Sequence, residues 1–403
     1  MAQDHRLPVS KKEYTKGYTD GENTQKARRK ITVTGRFFDY TLLFVILLLL
    51  GFGLIMIYSV SSYEALDTFG DAAYYVKSQA RSVIIGLILM IIFAQIPHEF
   101  WKRVSLPFYL LVLILNVCVF IPGIGTDLNT GSNRWISVGS LSFQPSEFVK
   151  ISVILLLATL LSRLPVQIRR LRSFAVIIGV LLPIVVVVAL SNLSTAIIIA
   201  GIAFIMLFVI NAQRKHLAAL LCVGVIFGLV FIMIFGYRSD RVAAWLNPES
   251  ASTDTYQTVQ GLYAIGSGGF FGKGLGASLQ KLENVPEAQN DFIFTIIVEE
   301  LGFFGAVCVL ILFALMLWRF VIIAVNARDL YGSLLVVGVM AHIALQVILN
   351  IAVVTNTIPN TGITLPFISY GGTSVMILLA EMGIVLNVSR AIPLHLGDAN
   401  REG

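Results

Sequence analysis

Long apolar stretches alternate with short polar segments along most of the chain. The stretch "YTLLFVILLLLGFGLIMIYS", residues 40–59, has no charged side chain and matches the roughly 20 residues with which a helix crosses a bilayer. Similar stretches predict ten spans, at about residues 40–59, 78–97, 105–122, 147–162, 173–190, 195–211, 216–236, 291–322, 333–355 and 373–388. The pattern therefore predicts an all-α polytopic membrane protein with ten transmembrane helices.

Polar segments divide the chain around these spans. Residues 1–36 show little apolar periodicity, which predicts a flexible tail, and residues 391–403 form a second tail behind a membrane domain at 37–390. Three longer segments interrupt the spans, at residues 123–146, 237–290 and 356–372. The largest, 237–290, joins spans seven and eight. The first apolar run lies behind a long polar tail without a cleavage pattern after it, so we expect that span to be retained.

Composition and charge add an orientation. Hydrophobic residues make up 57% of 403 residues and charged residues 13%, with a mean hydropathy of +0.83, which is not the composition of a soluble domain. The net charge of +6 reflects Lys and Arg residues that collect before the first span and in alternate loops, as on a cytoplasmic side. Both termini are therefore predicted to be cytoplasmic, and the three longer segments extracytoplasmic. No soluble basic domain is predicted, so we exclude a nucleic-acid partner.

Two ionisable residues lie near the start of predicted span four. Glu147 and Lys150 are three residues apart, a spacing that places them side by side on a helix, where each offsets the cost of burying the other. Such a pair either locks helices together or lines a polar cavity open to the outside. We favour the cavity, because ionisable residues inside a membrane are rare.

Three carboxylates lie in "NVPEAQNDFIFTIIVEELGFFGAV", residues 284–307. Asp291 begins the predicted span, and Glu299 lies roughly 12 Å deeper at a helical rise of 1.5 Å per residue. Glu299 and Glu300 therefore require partners or protonation, whereas a water-accessible Asp291 stays ionised and can accept a proton. The spacing leaves two readings of Asp291 open, a helix N-cap and a catalytic group.

Glycine-rich segments mark two of the longer loops. "AIGSGGFFGKGLG", residues 264–276, is not a phosphate-binding P-loop, because Ser267 and Gly274 replace the required Gly and Ser or Thr around Lys273. Its backbone amides and Lys273 could still contact a pyrophosphate, beside the plainer reading of a flexible loop. The Gly and Pro residues of "PNTGITLPFISYGG" favour a re-entrant or tightly packed segment over a plain solvent loop.

Other catalytic signals are weak. His342 lies in span nine near Gln346 and Asn350, and a lone histidine there is more often a hydrogen-bond partner between helices than a ligand. The sequence has no H-E-x-x-H, no G-x-S-x-G and no His/Cys cluster, so hydrolase and structural-zinc functions have little support.

Three stretches together resemble the SEDS family (shape, elongation, division and sporulation) of bacterial peptidoglycan polymerases. They are "NRWISVGSLSFQPSEFVK", "AIGSGGFFGKGLGASLQKLENVPEAQNDFIFTIIVEELG" and "PNTGITLPFISYGGTS", which match the family signature in order and approximate spacing. The resemblance runs from span one to span ten. The long basic N-terminal tail and the "QKLENVPEAQNDFIF" wording look closer to the division and sporulation branch, FtsW and SpoVE, than to RodA.

The resemblance implies a function and several site residues. It implies a ten-span glycosyltransferase that polymerises lipid II outside the cytoplasmic membrane, with Asp291 as the catalytic residue. It also implies that Glu147 and Lys150 line a central cavity and that Arg134 belongs to an outside Arg-Trp motif. Arg134, Lys150 and Lys273 are the candidate cations for the leaving pyrophosphate, and Mg²⁺ or Mn²⁺ held by the diphosphate is the one cofactor considered.

The same resemblance implies partners and exposes one departure. A class B penicillin-binding protein transpeptidase is the expected membrane partner, together with other division proteins at the septum. Where many members read P-D-L-G-T, this chain has "SNLST", with Asn192 and Ser194 in place of Asp and Gly. A carboxylate role at that point is therefore in doubt.

Three classes of function stay open at this stage: a glycosyltransferase, a lipid II flippase and a non-catalytic division scaffold. A transporter predicts functional charges near the midplane and often repeated halves. The strongest signature here lies on the predicted outer side, which favours the enzyme.

Overall fold

The structure is a computed structural model that describes residues 38–126, 134–138, 141–165, 167–210, 212–234, 241–242, 245–246, 253–282 and 285–392. The predicted N-terminal tail and nearly all of the predicted C-terminal tail lie outside these residues. Residues Phe38–Ile392 fold as one unit.

The predicted spans appear as helices. Within the described residues these are α1 (Tyr40–Phe69), α2 (Tyr74–Gln95), α3 (His98–Cys118), α4 (Pro145–Arg163), α5 (Leu171–Ser191), α6 (Leu193–Val209), α7 (Arg214–Ile234), α9 (Ile293–Asn326), α10 (Leu330–Val354) and α11 (Gly372–Arg390). Eight of them are long and apolar enough to cross a membrane, and α6, at 17 residues, is shorter. The polytopic all-α fold is confirmed, and the count of ten spans stays a prediction.

One helix was not predicted. Helix α8 (Thr253–Ser267) lies inside the loop between α7 and α9. Its sequence, "TDTYQTVQGLYAIGS", is too polar to register as a span. The largest loop is therefore partly helical.

The interior of the bundle is built from α4, α10 and α11. Over an apolar stretch of 18 residues in each helix, 78% of the residues are buried in α4 and α11 and 67% in α10, compared with 22% in α2 and α3. Small residues let helices approach closely: a Cβ atom on Gly383 of α11 would lie 2.5 Å from the carbonyl oxygen of Met90 in α2. The three central helices also carry two of the buried polar pairs described below.

The predicted segment at 123–146 contains a small antiparallel sheet. Strands β1 (Gly125–Thr126), β2 (Trp135–Val138) and β3 (Leu141–Phe143) pair in chain order. Ile136 is the Cα partner of Gly125 on one side and of Phe143 on the other. The sheet leads directly into α4 and places Arg134 immediately before β2.

Helix α9 is interrupted, where the sequence predicted one continuous span. Gly302 has φ 72° and ψ −171°, outside the helical region. The amides of Phe303 and Phe304 donate to the carbonyl oxygens of Gly269 and Phe270, at 2.9 and 3.0 Å. The loop after α8 therefore supplies these two amides with the acceptors that the interrupted helix does not.

Candidate active site

Asp291 lies at the end of the bundle where α9 begins, here termed the Asp291 end. It is half-buried. The residue at the N-cap position of α9 is Phe292, one residue further on, so Asp291 directly precedes the cap position, and its catalytic role stays a prediction. The carbonyl oxygen of Asp291 accepts a 2.7 Å hydrogen bond from Nδ2 of Asn350 in α10. A Cβ atom on Gly362 would lie 3.9 Å from Oδ2 of Asp291.

The segment at 356–372 is packed onto this end and is not a plain solvent loop. Its residues Leu365, Phe367 and Ile368 are buried. A Cβ atom on Gly53 of α1 would lie 2.6 Å from the carbonyl oxygen of Phe367, so the segment lies directly on that helix. The expectation of a tightly packed segment is confirmed.

This segment is also tied to the turn before Asp291. The amide of Tyr370 donates to the carbonyl oxygen of Gln289 at 2.9 Å. Deeper in the bundle, Nε2 of Gln346 donates to the carbonyl oxygen of Thr364 at 3.0 Å and to its hydroxyl at 3.3 Å. Two of the three longer loops therefore meet around Asp291.

The departure in "SNLST" falls at the same end. Oδ1 of Asn192 accepts from the amide of Thr195 at 3.1 Å and caps α6, a role in which Asn and Asp are equivalent. Oγ of Ser194 donates to the carbonyl oxygen of Thr361 at 2.6 Å, one residue before Gly362. In this chain the two residues cap a helix and hold the segment beside Asp291.

Arg134 reaches this region from the segment at 123–146, the remaining one of the three longer loops. Its Nε donates to the carbonyl oxygen of Ser191 at 3.0 Å, immediately before Asn192. A guanidinium carries five N–H donors in a planar fork that suits phosphate oxygens. Arg134 and Asp291 thus reach the same end of the bundle.

Glu147 and Lys150 form the predicted pair inside the bundle. Nζ of Lys150 lies 2.9 Å from Oε2 of Glu147, and their side chains are 3% and 11% exposed. Ser374 of α11 and His342 of α10 also lie near the Glu147 carboxylate. The pairing is confirmed, and whether it serves a cavity stays a prediction.

A second buried pair adjoins the first. Nδ1 of His342 and Oε2 of Glu381 lie 2.8 Å apart, and both side chains are fully buried. The histidine is thus a hydrogen-bond partner between α10 and α11, as predicted. Glu381 was missed because a single acidic residue in an apolar helix gives no sign of its partner.

The two deeper carboxylates of α9 bind the loop that follows α8. Glu299 accepts from Nζ of Lys273 at 2.6 Å and from the hydroxyl of Ser278. Glu300 accepts from Nζ of Lys281 at 2.8 Å. Glu299 and Glu300 were expected to need partners or protonation, and both have lysine partners. Lys273 is one of these partners, so the structure places this candidate pyrophosphate ligand on Glu299 and not beside Asp291.

The opposite end of the bundle carries a separate polar cluster. His98, Glu99 and Asp329 are the one group of three potential metal ligands among the described residues. Nζ of Lys102 lies 3.5 Å from Asp329, a charge that disfavours a metal there. Burial raises the pKa of Asp329, but the Gly332 amide and the charges of His98 and Lys102 outweigh burial and hold the pKa below its usual value.

The arrangement at the Asp291 end suits acid–base chemistry on a large polar substrate. A half-buried carboxylate lies beside a glycine that leaves room next to it, and an arginine reaches the same end. A carboxylate so placed can take a proton from a bound hydroxyl. Sequence reasoning missed Asn350 as part of this site, because its partner Asp291 lies in another element.

Comparison with known proteins identifies the family. Residues 40–392 match the family model of FtsW, RodA and SpoVE, described as "Cell cycle protein". The chain belongs to this family. It is 41% identical over 355 residues to stage V sporulation protein E of Bacillus subtilis, covering 87% of this chain and 97% of that protein.

Further relatives agree. The chain is 37% identical over 362 residues to the probable peptidoglycan glycosyltransferase FtsW of Trichlorobacter lovleyi, covering 89% of this chain and 94% of that protein. Among solved structures, a chain of a peptidoglycan synthase complex that coordinates polymerization and crosslinking gives a TM-score of 0.74 at 27% identity, covering 88% and 98%. RodA of Thermus thermophilus gives 0.66 at 26%, covering 89% and 98%.

Proposed function

We propose that this protein is a peptidoglycan glycosyltransferase that polymerises lipid II into glycan strands on the outer face of the cytoplasmic membrane. The observation that carries the proposal is the half-buried Asp291 carboxylate, which lies beside Gly362 where two signature loops meet. Relatives named as FtsW glycosyltransferases support the same activity.

The chemistry follows from the reacting groups. The 4-hydroxyl of one lipid-linked disaccharide attacks the anomeric carbon of another chain, the bond from that carbon to the pyrophosphate breaks, and undecaprenyl pyrophosphate leaves. The hydroxyl proton passes to Asp291, because a sugar hydroxyl is a weak nucleophile without a base within about 2.6–3.2 Å.

Cations stabilise the charge on the leaving diphosphate. Arg134 is the leading candidate, because it reaches the Asp291 end of the bundle through its bond to Ser191. A group of three protein ligands for a metal is found, among the described residues, only at the opposite end. We therefore expect any divalent cation, Mg²⁺ or Mn²⁺, to enter with the substrate diphosphate.

The family, and the solved peptidoglycan synthase complex to which the chain is similar, support a protein partner and a cellular location. We propose that a class B penicillin-binding protein transpeptidase packs against this membrane domain and that the pair works with other division proteins at the septum or in sporulation. Both termini are then cytoplasmic, and the Asp291 end faces outside.

A lipid II flippase is the second candidate. The buried Glu147–Lys150 pair supports it, since intramembrane charges often mark a substrate path. The signature residues cluster at one end of the bundle, which supports polymerisation instead. A non-catalytic scaffold requires none of this geometry.

One experiment separates the glycosyltransferase from the other two functions. Purified protein with its transpeptidase partner is incubated with fluorescent lipid II in detergent, and products are resolved by length. We expect glycan ladders, which a flippase cannot produce because detergent micelles have no two sides. Unchanged lipid II under conditions where a known family polymerase makes ladders would contradict the proposal.

A further inference from the structure

We propose that Asn350 is a positioning residue for Asp291, and that its amide sets the carboxylate in the geometry that proton transfer requires. The inference rests on the proposed function. Asn350 is fully buried in the last turns of α10. It touches neither the Asp291 carboxylate nor, by its burial, the substrate, so its effect is exerted through the main chain.

The amide group of Asn350 serves two main-chain carbonyls at once. Nδ2 lies 2.7 Å from the carbonyl oxygen of Asp291 and 2.7 Å from that of Ile363. An amide nitrogen has two hydrogens, so each carbonyl takes one. The two acceptors also settle the orientation of the amide, since a flipped side chain would turn its own oxygen toward both carbonyls.

These two bonds fix both sides of the space next to the carboxylate. One holds the main chain from which the Asp291 side chain branches. The other holds Ile363, the residue after Gly362. Gly362 has a φ of +68°, in the left-handed region, and a Cβ atom on it would lie 3.9 Å from Oδ2 of Asp291. Asn350 therefore ties the start of α9 directly to the segment beside the carboxylate.

A small displacement of this carboxylate has a large effect on rate. Misplacing a reacting group by about 1 Å can cost about 100-fold, and a buried carbonyl that loses its donor tends to move to find another. Removal of the Asn350 amide is thus expected to lower the rate of the chemical step, while the surfaces that bind lipid II stay in place.

Gln346 provides a matched control one helical turn deeper. It lies on the same face of α10, is equally buried, and bonds the same segment through Thr364. It has no bond to Asp291. A general loosening of α10 or of the segment would affect Gln346→Ala and Asn350→Ala alike, whereas loss of Asp291 positioning would affect only the second.

The experiment compares Asn350→Ala, Gln346→Ala and Asp291→Asn in the full-length protein with its partner. Polymerisation is followed over a range of lipid II concentrations, with thermal unfolding and partner binding recorded for each variant. We expect kcat of Asn350→Ala to fall about 100-fold with KM within about threefold of wild type, and kcat of Gln346→Ala to stay within about fivefold. Where Asn350→Ala does not purify folded, Asn350→Asp, which keeps the shape but replaces the donor, is measured against the same expectation.

Two results would overturn the inference while leaving the proposed function intact. One is a kcat for the Asn350 variant equal to that of Gln346→Ala. The other is a defect confined to KM. By contrast, near wild-type polymerisation by Asp291→Asn would contradict the proposed mechanism itself. Failure of the inference about Asn350 and failure of the proposed function are therefore distinguishable.

Discussion

Removing one member of the Glu147–Lys150 pair is expected to destabilise the bundle strongly, whereas removing both is not. The Lys150 side chain is 3% exposed and the Glu147 side chain 11% exposed, and Nζ of Lys150 lies 2.9 Å from Oε2 of Glu147. A single substitution leaves a buried charge without its partner, which costs about 3–5 kcal/mol, compared with about 0–1 kcal/mol for an exposed pair.

The double variant supplies the control. Glu147→Gln with Lys150→Met keeps the volumes of both side chains and removes both charges, a change that is often close to neutral for buried pairs. We therefore expect a coupling energy of at least about 2 kcal/mol in the double-mutant cycle.

Reversible unfolding in mixed detergent micelles, followed by tryptophan fluorescence, measures all four proteins. A double variant less stable than either single variant would refute the reasoning. So would two single variants that each unfold within about 1 kcal/mol of wild type, the range of an exposed pair.

Two further predictions concern ion pairs elsewhere in the bundle. Lys281→Met is expected to destabilise more than Lys273→Met, because the Lys281 side chain is 7% exposed and the Lys273 side chain 30% exposed although both pair with fully buried carboxylates; equal unfolding curves for the two variants would contradict this ranking. Because the pKa of Asp329 is lowered in the fold, the ionised side chain raises the free energy of unfolding. This stabilisation is present above the unfolded pKa of about 3.9 and is lost as the pH falls through the folded value. Wild type should thus unfold at a higher temperature than Asp329→Asn near pH 7, with the difference shrinking below about pH 4, and a difference that grows on acidification would show that the sign is wrong.

The apolar pattern predicted most of the helices because burial in lipid needs long uncharged runs. Span four was placed at 147–162, and α4 runs from Pro145 to Arg163. Glu147 and Lys150 were paired correctly because their contact is local, three residues along one helix. Local periodicity and spacing suffice for features of this kind.

The break at Gly302 could not be predicted in the same way. The apolar run continues across it, and the acceptors that make it tolerable, Gly269 and Phe270, come from a loop more than thirty residues earlier. Likewise, Lys273 was assigned to a pyrophosphate because its partner Glu299 lies in another element. Contacts between distant segments depend on packing that no local pattern encodes.

The candidate site combines both kinds of feature. Asp291 was selected through the resemblance of its motif, whereas its neighbours Asn350 and Gly362 arrive from α10 and the following segment through tertiary packing. Asn192 and Ser194 illustrate the same limit, since their departure from the family pattern became interpretable only with the α6 cap and the bond to Thr361.

The central claim is that Asp291 acts as the general base, and one substitution tests it most directly. Asp291→Asn keeps the size of the side chain but cannot take the hydroxyl proton, and loss of a general base typically costs 10²–10⁴-fold, as order-of-magnitude figures. Glu287→Gln is the matched control, because it removes an exposed carboxylate four residues earlier in the same turn. With fluorescent lipid II and the partner present, we predict that Asp291→Asn folds and binds its partner but makes glycan at least about 100-fold more slowly, while Glu287→Gln polymerises at the wild-type rate. Near wild-type glycan synthesis by Asp291→Asn would contradict the account.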